Sequence, residues 1–474
     1  MTTHYTPPVI TSELGRPEAE AAADRNSLSR SLHYDVRDRI DGIAVEDLVA
    51  SYGSPLFVFS ERQLRETARK ARDAFEAVYP KTTFAWSYKT NYLSAVCNIL
   101  HEEGWIAEVV SEFEYQKAER AGIAGPDIIY NGPHKPRQSL ERALSQGSVV
   151  QIDNWDELGA IEDIAAQMDR PATVGIRVWM DTGLAPVWSK FGFALANGEA
   201  VRLALRVVAN PRLVLHTLHT HIGTYILEPR AYKVAAEKLV ALREIICAET
   251  NYLVPCLNLG GGFPSRSALY GMPDPVGTTV PPIEVYAKHI SQVLNSLPPN
   301  RRPELRLESG RHLVDEAGSL ITSIVAVKGV DQGHAPYLAS LNAKASFLLG
   351  EHSRTGYVVD AGVNFLYTSA WYRIGVFPAR ASNAPPNAAR LYGCLCMNID
   401  VIRDCVELPP LGVGDRLVLH PVGAYNVTQW MQFIAFRPAV VLLSPSGSVD
   451  VIRKREELSD VERAELVPDR LVRT

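Results

Sequence analysis

Cysteine is scarce in this sequence: six thiols (Cys97, Cys247, Cys256, Cys394, Cys396 and Cys405) are scattered through 474 residues. Such thin use argues against a disulfide scaffold and predicts reduced thiols. Basic charge is in short supply too, with 48 Lys and Arg against 53 Asp and Glu and a net charge of -5. Without a cationic surplus the chain has no electrostatic footing for nucleic acid or an anionic membrane, and neither is expected as a partner. Long apolar runs are missing: none approaches the ~20 residues of a membrane span. The opening stretch, MTTHYTPPVITSELGRPEAE, lacks a signal-peptide core. A cytoplasmic protein is expected, its first 30 or so residues, polar and broken by prolines, forming a loose extension.

What is present is ordinary globular material, 46% hydrophobic and 21% charged, long enough for two domains. From about Phe57, short β-rich runs alternate with amphipathic helical stretches. In ERQLRETARKARDAFEAVYP, Leu64, Ala68, Ala71, Phe75 and Val78 recur at steps of three and four until Pro80 stops the pattern. Strands are read at FAWSYK, IAEVV, DIIYN, VVQID, TVGIRV, LVLHTLHTHIG, CLNLGG and ELRLES. Eight β-then-α units over about 260 residues match a closed (β/α)8 barrel, whose chemistry lies at the carboxyl ends of its strands. An open doubly wound sheet is the competing architecture, but it needs no such regular count. After Gly318 the runs ITSIVAVKG, GYVVDAGV, ARLYGCLCMNIDVI, DRLVLHPVGAY, FRPAVVLL and VDVIRK predict an all-β domain. The expected division is an α/β protein with residues 1–56 as extension and part of the β-domain, 57–320 as barrel, and 321–474 as C-terminal β-domain. Two Pro- and Gly-rich stretches, PSRSALYGMPDPVGTTVPP and ARASNAPPNAAR, read as surface loops.

The strand ends carry the chemistry-bearing residues. FAWSYKTN is an apolar run that ends in a lysine, and a buried ammonium is costly unless paired or used. Lys89 closes the first strand; His221, Gly223 and Thr224 close the sixth; Gly260 to Gly262 close the seventh; Glu308 and Arg311 close the eighth. Each alone has a plain reading: a snorkelling lysine, packed histidines or a metal pair at His219 and His221, a tight glycine loop. Together they meet the needs of one cofactor. Pyridoxal phosphate requires an amine, a flat group against its ring, backbone donors for its phosphate and a charged partner for its ring nitrogen. Lys89, His221, Gly260 to Gly262 and Glu308 supply these in order, with Arg311 and Thr224 as further phosphate donors.

The motifs YKTN, AEVVSEFE, SKFGF, HTHIGT, LNLGGGFP, ESGRHLVDEAG, VVDAGVN, GCLCMNID and VGAY follow one another in the order of a known family. On them the chain resembles the barrel-fold pyridoxal-phosphate decarboxylases, a group with the alanine racemase and ornithine decarboxylase fold, and it is most similar in pattern to the diaminopimelate decarboxylases. The likeness covers roughly Val58 to Leu443. It implies Lys89 as the Schiff-base lysine, His221 stacked on the ring and Glu308 on the pyridine nitrogen. It also implies phosphate or substrate contacts from Gly261, Gly262, Arg311 and Tyr425, a substrate contact from Tyr372, and Cys396 with Asp400 arriving from the second subunit of a homodimer.

The implied reaction is release of CO2 from the α-carbon of an amino acid or derivative. A carboxylate at position 308 keeps the ring nitrogen protonated and the electron sink strong, and Cys396 is the acid that reprotonates Cα. Three rivals remain. A racemase or epimerase would use Lys89 and Cys396 as opposed bases, a non-catalytic cofactor-binding homologue would turn nothing over, and a metal-dependent barrel hydrolase would use His219 and His221 as ligands. Two departures from the family pattern bear on substrate. Met397 follows the cysteine where diaminopimelate decarboxylases carry glutamate and ornithine decarboxylases aspartate, and Thr368 with Ser369 occupies VNFLYTSAWY where an arginine and proline are expected. Ser309 replaces a family proline. A methionine cannot neutralise a distal ammonium, so that contact is lost unless Glu112, Arg373 or another group replaces it.

Overall fold

The computed structural model describes residues 34–270, 280–329 and 355–472. These fall into two compact units: one holds Glu61–Arg266 and the stretch ending at Glu316, the other the residues up to Ser60, a short segment from Ser267, and everything from Ala317 onward.

In the first unit the strands are β1 (Thr82–Ser87), β2 (Ile106–Val109), β3 (Ile128–Tyr130), β4 (Val149–Ile152), β5 (Ala172–Trp179), β6 (Leu213–His219), β7 (Cys256–Asn258) and β8 (Glu304–Ser309). They pair in parallel in the order β6-β7-β8-β1-β2-β3-β4-β5, and β5 pairs with β6 to close the ring. Each of the eight expected runs is therefore a barrel strand. Closure removes every edge, so the strands are buried on both faces and are written as near-continuous apolar runs.

The helix α1 (Glu61–Glu76) precedes β1 and buries Leu64, Ala68, Ala71 and Phe75 against the sheet. Phe75 meets Phe84 of β1 and Phe263 edge-on, each at 6.1 Å. The expected stripe ran one step too far. Pro80 disfavours helical backbone at Tyr79, the helix ends at Glu76, and Val78 is 38% exposed.

The second unit is built around the eleven-residue strand Gly318–Lys328, which pairs antiparallel with Leu56–Ser60, Thr355–Val359 and Arg416–His420. Ala439–Leu443 adds in parallel to Leu56–Ser60, and Leu48, Val58, Ile321, Val418 and Val441 form its core with their neighbours. The run ARLYGCLCMNIDVI, expected as one β stretch, is two antiparallel strands, Asn387–Tyr392 and Val401–Leu408, around a tight loop. Gly393 opens that loop because its backbone lies against Asp400, where a Cβ would stand 2.2 Å from a carboxylate oxygen. Ala268–Leu269, inside a stretch expected as loop, pairs with Tyr372–Arg373. The expected N-terminal extension and residues 271–279 of that loop lie outside the described residues. Among the described residues no helix is long and apolar enough to cross a membrane.

Candidate active site

Lys89 sits in a single 3-10 turn, Tyr88–Thr90, directly after β1. Tyr88 and Thr90 on either side are buried, while the lysine side chain is 39% exposed. The turn is pinned from below: the Tyr88 hydroxyl lies 2.7 Å from His101 Nε2, and His101 Nδ1 lies 2.6 Å from the Trp105 carbonyl oxygen. A carbonyl only accepts, so Nδ1 carries the proton and Nε2 takes the tyrosine hydroxyl.

Lys89 Nζ donates to Glu108 Oε2 at 2.6 Å. Glu108 is inward-facing on β2 and wholly enclosed. Its carboxylate also accepts from Ser87 Oγ at 2.6 Å and from Asn131 Nδ2 at 2.9 Å. An apolar strand can thus end in an ammonium, because the neighbouring strand delivers a buried counter-charge to it.

The same Asn131 amide donates at 3.0 Å to Glu308 Oε1, which also accepts from Asn258 Nδ2 at 2.7 Å. His219 Nε2 stands 3.2 Å from Glu308 Oε2, too oblique for a well-aligned hydrogen bond but close enough to act through charge. Burial opposes ionisation of Glu308, yet His219, Lys89 and the Asn131 donor outweigh it and hold the carboxyl well below the usual carboxylate range. His221 accepts the Gly261 N–H on Nδ1 at 3.0 Å, and Trp188 meets its ring at 5.4 Å and 73°. Enclosure, reinforced by the Arg177 and Lys89 charges, pulls its pKa down to about 3, so the imidazole is neutral.

The glycines at the end of β7 serve close approach of the backbone. Gly260 and Gly262 have φ of +64° and +96°, and a Cβ on Gly261 would lie 2.0 Å from the Glu308 carbonyl oxygen. Arg311 opens a four-residue helix at the end of β8 and is buried, its Nη1 3.2 Å from Asp315 Oδ2. Thr224 lies exposed in a bend beyond β6.

The first unit therefore gathers Lys89, His221, Gly261, Gly262, Glu308 and Arg311 at barrel strand ends. Thr224 also lies in this unit, and the other expected residues belong to the second. Tyr372 is buried in its short strand, and Tyr425 has a left-handed backbone at φ 63°. Cys396 is exposed and Met397 partly so. Asp400 is buried, its two oxygens accepting the Val363 N–H at 2.8 Å and the Leu395 N–H at 2.7 Å. Sequence reading passed over Glu108, Asn131 and Asn258 as functional residues. Glu108 lay in a quoted motif, Asn131 closed a quoted strand and Asn258 lay inside another; a polar residue in an apolar run was the available signal.

A half-exposed amine, a carboxylate held anionic by His219, Lys89 and an amide donor, and a neutral imidazole at one end of a parallel barrel fit a cofactor with an aldehyde and a basic ring nitrogen. That is the class of pyridoxal-phosphate barrel enzymes. A profile of the pyridoxal-binding domain of the pyridoxal-dependent decarboxylases matches residues 61–315, and the chain belongs to that family. Its cofactor is pyridoxal phosphate and it is a carboxy-lyase by kinship. Among its relatives, diaminopimelate decarboxylase of Bacillus subtilis is 28% identical over 451 residues, covering 90% of this chain and 94% of that protein. The diaminopimelate decarboxylase of Methanothermobacter thermautotrophicus is 28% identical, covering 92% and 96%. In fold the chain is similar to the diaminopimelate decarboxylase of M. jannaschii in complex with L-lysine, with a TM-score of 0.80, 24% identity and coverage of 92% and 98%.

Proposed function

We propose that this protein is a cytoplasmic, homodimeric decarboxylase that removes CO2 from the α-carbon of an amino acid or amino-acid derivative. Lys89 is the lysine that carries the cofactor and Cys396 the acid that returns a proton to Cα. The observation that carries this reading is the shared Asn131 amide, which joins the carboxylate beside the amine to the carboxylate suited to the ring nitrogen.

Pyridoxal phosphate, when bound, supplies an electron sink for the pair left at Cα as CO2 departs. The chain's own groups do the rest. Glu108 holds the Lys89 ammonium at the strand ends and takes part in its proton exchange. Glu308, anionic, keeps a proton on the ring nitrogen, and the neutral His221 offers a flat face without competing charge. Gly261, Gly262, Arg311, Thr224 and Tyr425 hold phosphate or substrate. A thiol at Cys396 delivers the proton from a loop of the second subunit, with Tyr372, Met397 and Asp400 near the substrate.

The substrate differs from diaminopimelate at its distal end. Met397 brings no charge, and the Thr368 hydroxyl is spent on Asn426 Oδ1 at 2.9 Å, which also takes the Thr368 N–H at 3.1 Å. Each missing charge-assisted contact is worth about 1.5–3 kcal/mol, so losing two lowers kcat/KM by on the order of a hundredfold or more. The test is a screen of amino acids and their derivatives for CO2 release, with the visible spectrum recorded and borohydride-fixed cofactor mapped by peptide. Efficient turnover of meso-diaminopimelate would overturn the substrate argument; absence of a borohydride-sensitive band mapped to Lys89 would overturn the whole reading.

A further inference from the structure

Of the six cysteines, Cys97, Cys256 and Cys405 are buried, Cys247 is partly covered, and only Cys394 and Cys396 are exposed. Burial pushes the thiols of Cys97 and Cys256 up to about 12, which leaves them inert. The two exposed thiols are separated by one residue. Between them Leu395 is 8% exposed and turned inward, so both flanking side chains stand on the solvent side of the loop.

The loop is held in that shape by its own backbone. Leu395 N–H donates to Asp400 Oδ2 at 2.7 Å, Gly393 N–H to the Asp400 carbonyl at 3.0 Å, and Met397 N–H to the Leu395 carbonyl at 2.8 Å. The chain bends at all three of residues 394–396. Two Cα steps of about 3.8 Å through a bent chain place the outer Cα atoms about 5–7 Å apart, which overlaps the range of about 4.4–6.8 Å that a disulfide spans.

We propose that Cys394 and Cys396 form a reversible disulfide, a modification site that takes Cys396 out of service under oxidising conditions. The co-reactant is hydrogen peroxide. One thiolate attacks the O–O bond, an S–O bond forms and hydroxide leaves as water. The second sulfur then displaces the sulfenic oxygen, an S–S bond forms, and a second water departs. The pair loses two protons and two electrons, and a dithiol restores them. A ring closed over one residue is strained and exposed, the kind of disulfide that is readily reduced and suits regulation. That the bond stops turnover rests on the proposed role of Cys396; that the bond forms does not.

The experiment treats the purified full-length holoenzyme with hydrogen peroxide, alkylates free thiols, and maps peptides without reduction. A 394–396 linkage lighter by two hydrogens is expected, with CO2 release lost and then regained in dithiothreitol. Cys394→Ser, with Cys394→Ala as the second variant, keeps its untreated turnover, forms no linkage at Cys396, and leaves an oxidised Cys396 that a sulfenic-acid trap captures. Free thiols at both positions after treatment, or linkage to any other cysteine, overturns the disulfide and leaves the Cys396 assignment standing. Linkage with undiminished CO2 release overturns the shut-off and, with it, Cys396 as the acid.

Discussion

Glu308 owes its charge first to His219, then to Lys89 and the Asn131 donor, and Asn131 and Asn258 both donate to its Oε1. Glu308→Gln keeps the shape and removes the anion. CO2 release should then fall by about a hundredfold or more, the scale of losing one preorganised electrostatic group, whereas a loss under tenfold would put the ring-nitrogen role elsewhere. His221 makes a different, pH-dependent statement. Its pKa drops from 6.5 to about 3 on folding. Between those values the unfolded chain binds a proton that the folded chain refuses, so this group costs nothing above pH 6.5 and lowers stability as acid is added. The slope is about 1.4 kcal/mol per pH unit. His221→Gln should therefore show a shallower fall in its urea midpoint than wild type from pH 6.5 to about 5, and parallel slopes would contradict the enclosed, neutral ring.

At the level of elements, the ends of β7 and β8 meet so closely that only glycine fits between them. A methyl group on Gly261 would press on the Glu308 carbonyl at 2.0 Å. Gly261→Ala should push the strand ends apart, cost about 1–3 kcal/mol of stability and weaken cofactor affinity by about tenfold or more, read by fluorescence titration of the cofactor-free protein. Unchanged affinity would mean that the glycines serve packing alone. The strands themselves were legible in the sequence because enclosure on both faces writes them as apolar runs, and Lys89, His221 and Glu308 were legible because they interrupt those runs at the ends. Glu108 and Asn131 were less so. Their importance comes from register, which sets Ser87 opposite Glu108 and Val109 opposite Tyr130, and no spacing along one strand encodes a partner on the next. The loop within GCLCMNID was hidden by β-branched neighbours, the turn being fixed by Asp400 five residues after Leu395.

For the whole molecule the prediction concerns assembly. If Cys396 serves the partner's barrel, mixing inactive Lys89→Ala and Cys396→Ala chains should restore part of the CO2 release, because one of the two sites in each hybrid is intact. Hybrids that form, shown by differential tagging, yet stay inactive would mean that each chain completes its own site. One further point follows from where the groups lie. The connected polar set of Lys89, Glu108, Asn131, Glu308 and His219 comes entirely from the unit of Glu61 to Glu316, while Thr368 and Met397 come from the other. On the proposed roles, and with Cys396 as the exception, bond-breaking and choosiness are written in separate stretches of the gene, so lineages can drift toward new metabolites by rewriting one stretch while most of the other is inherited intact.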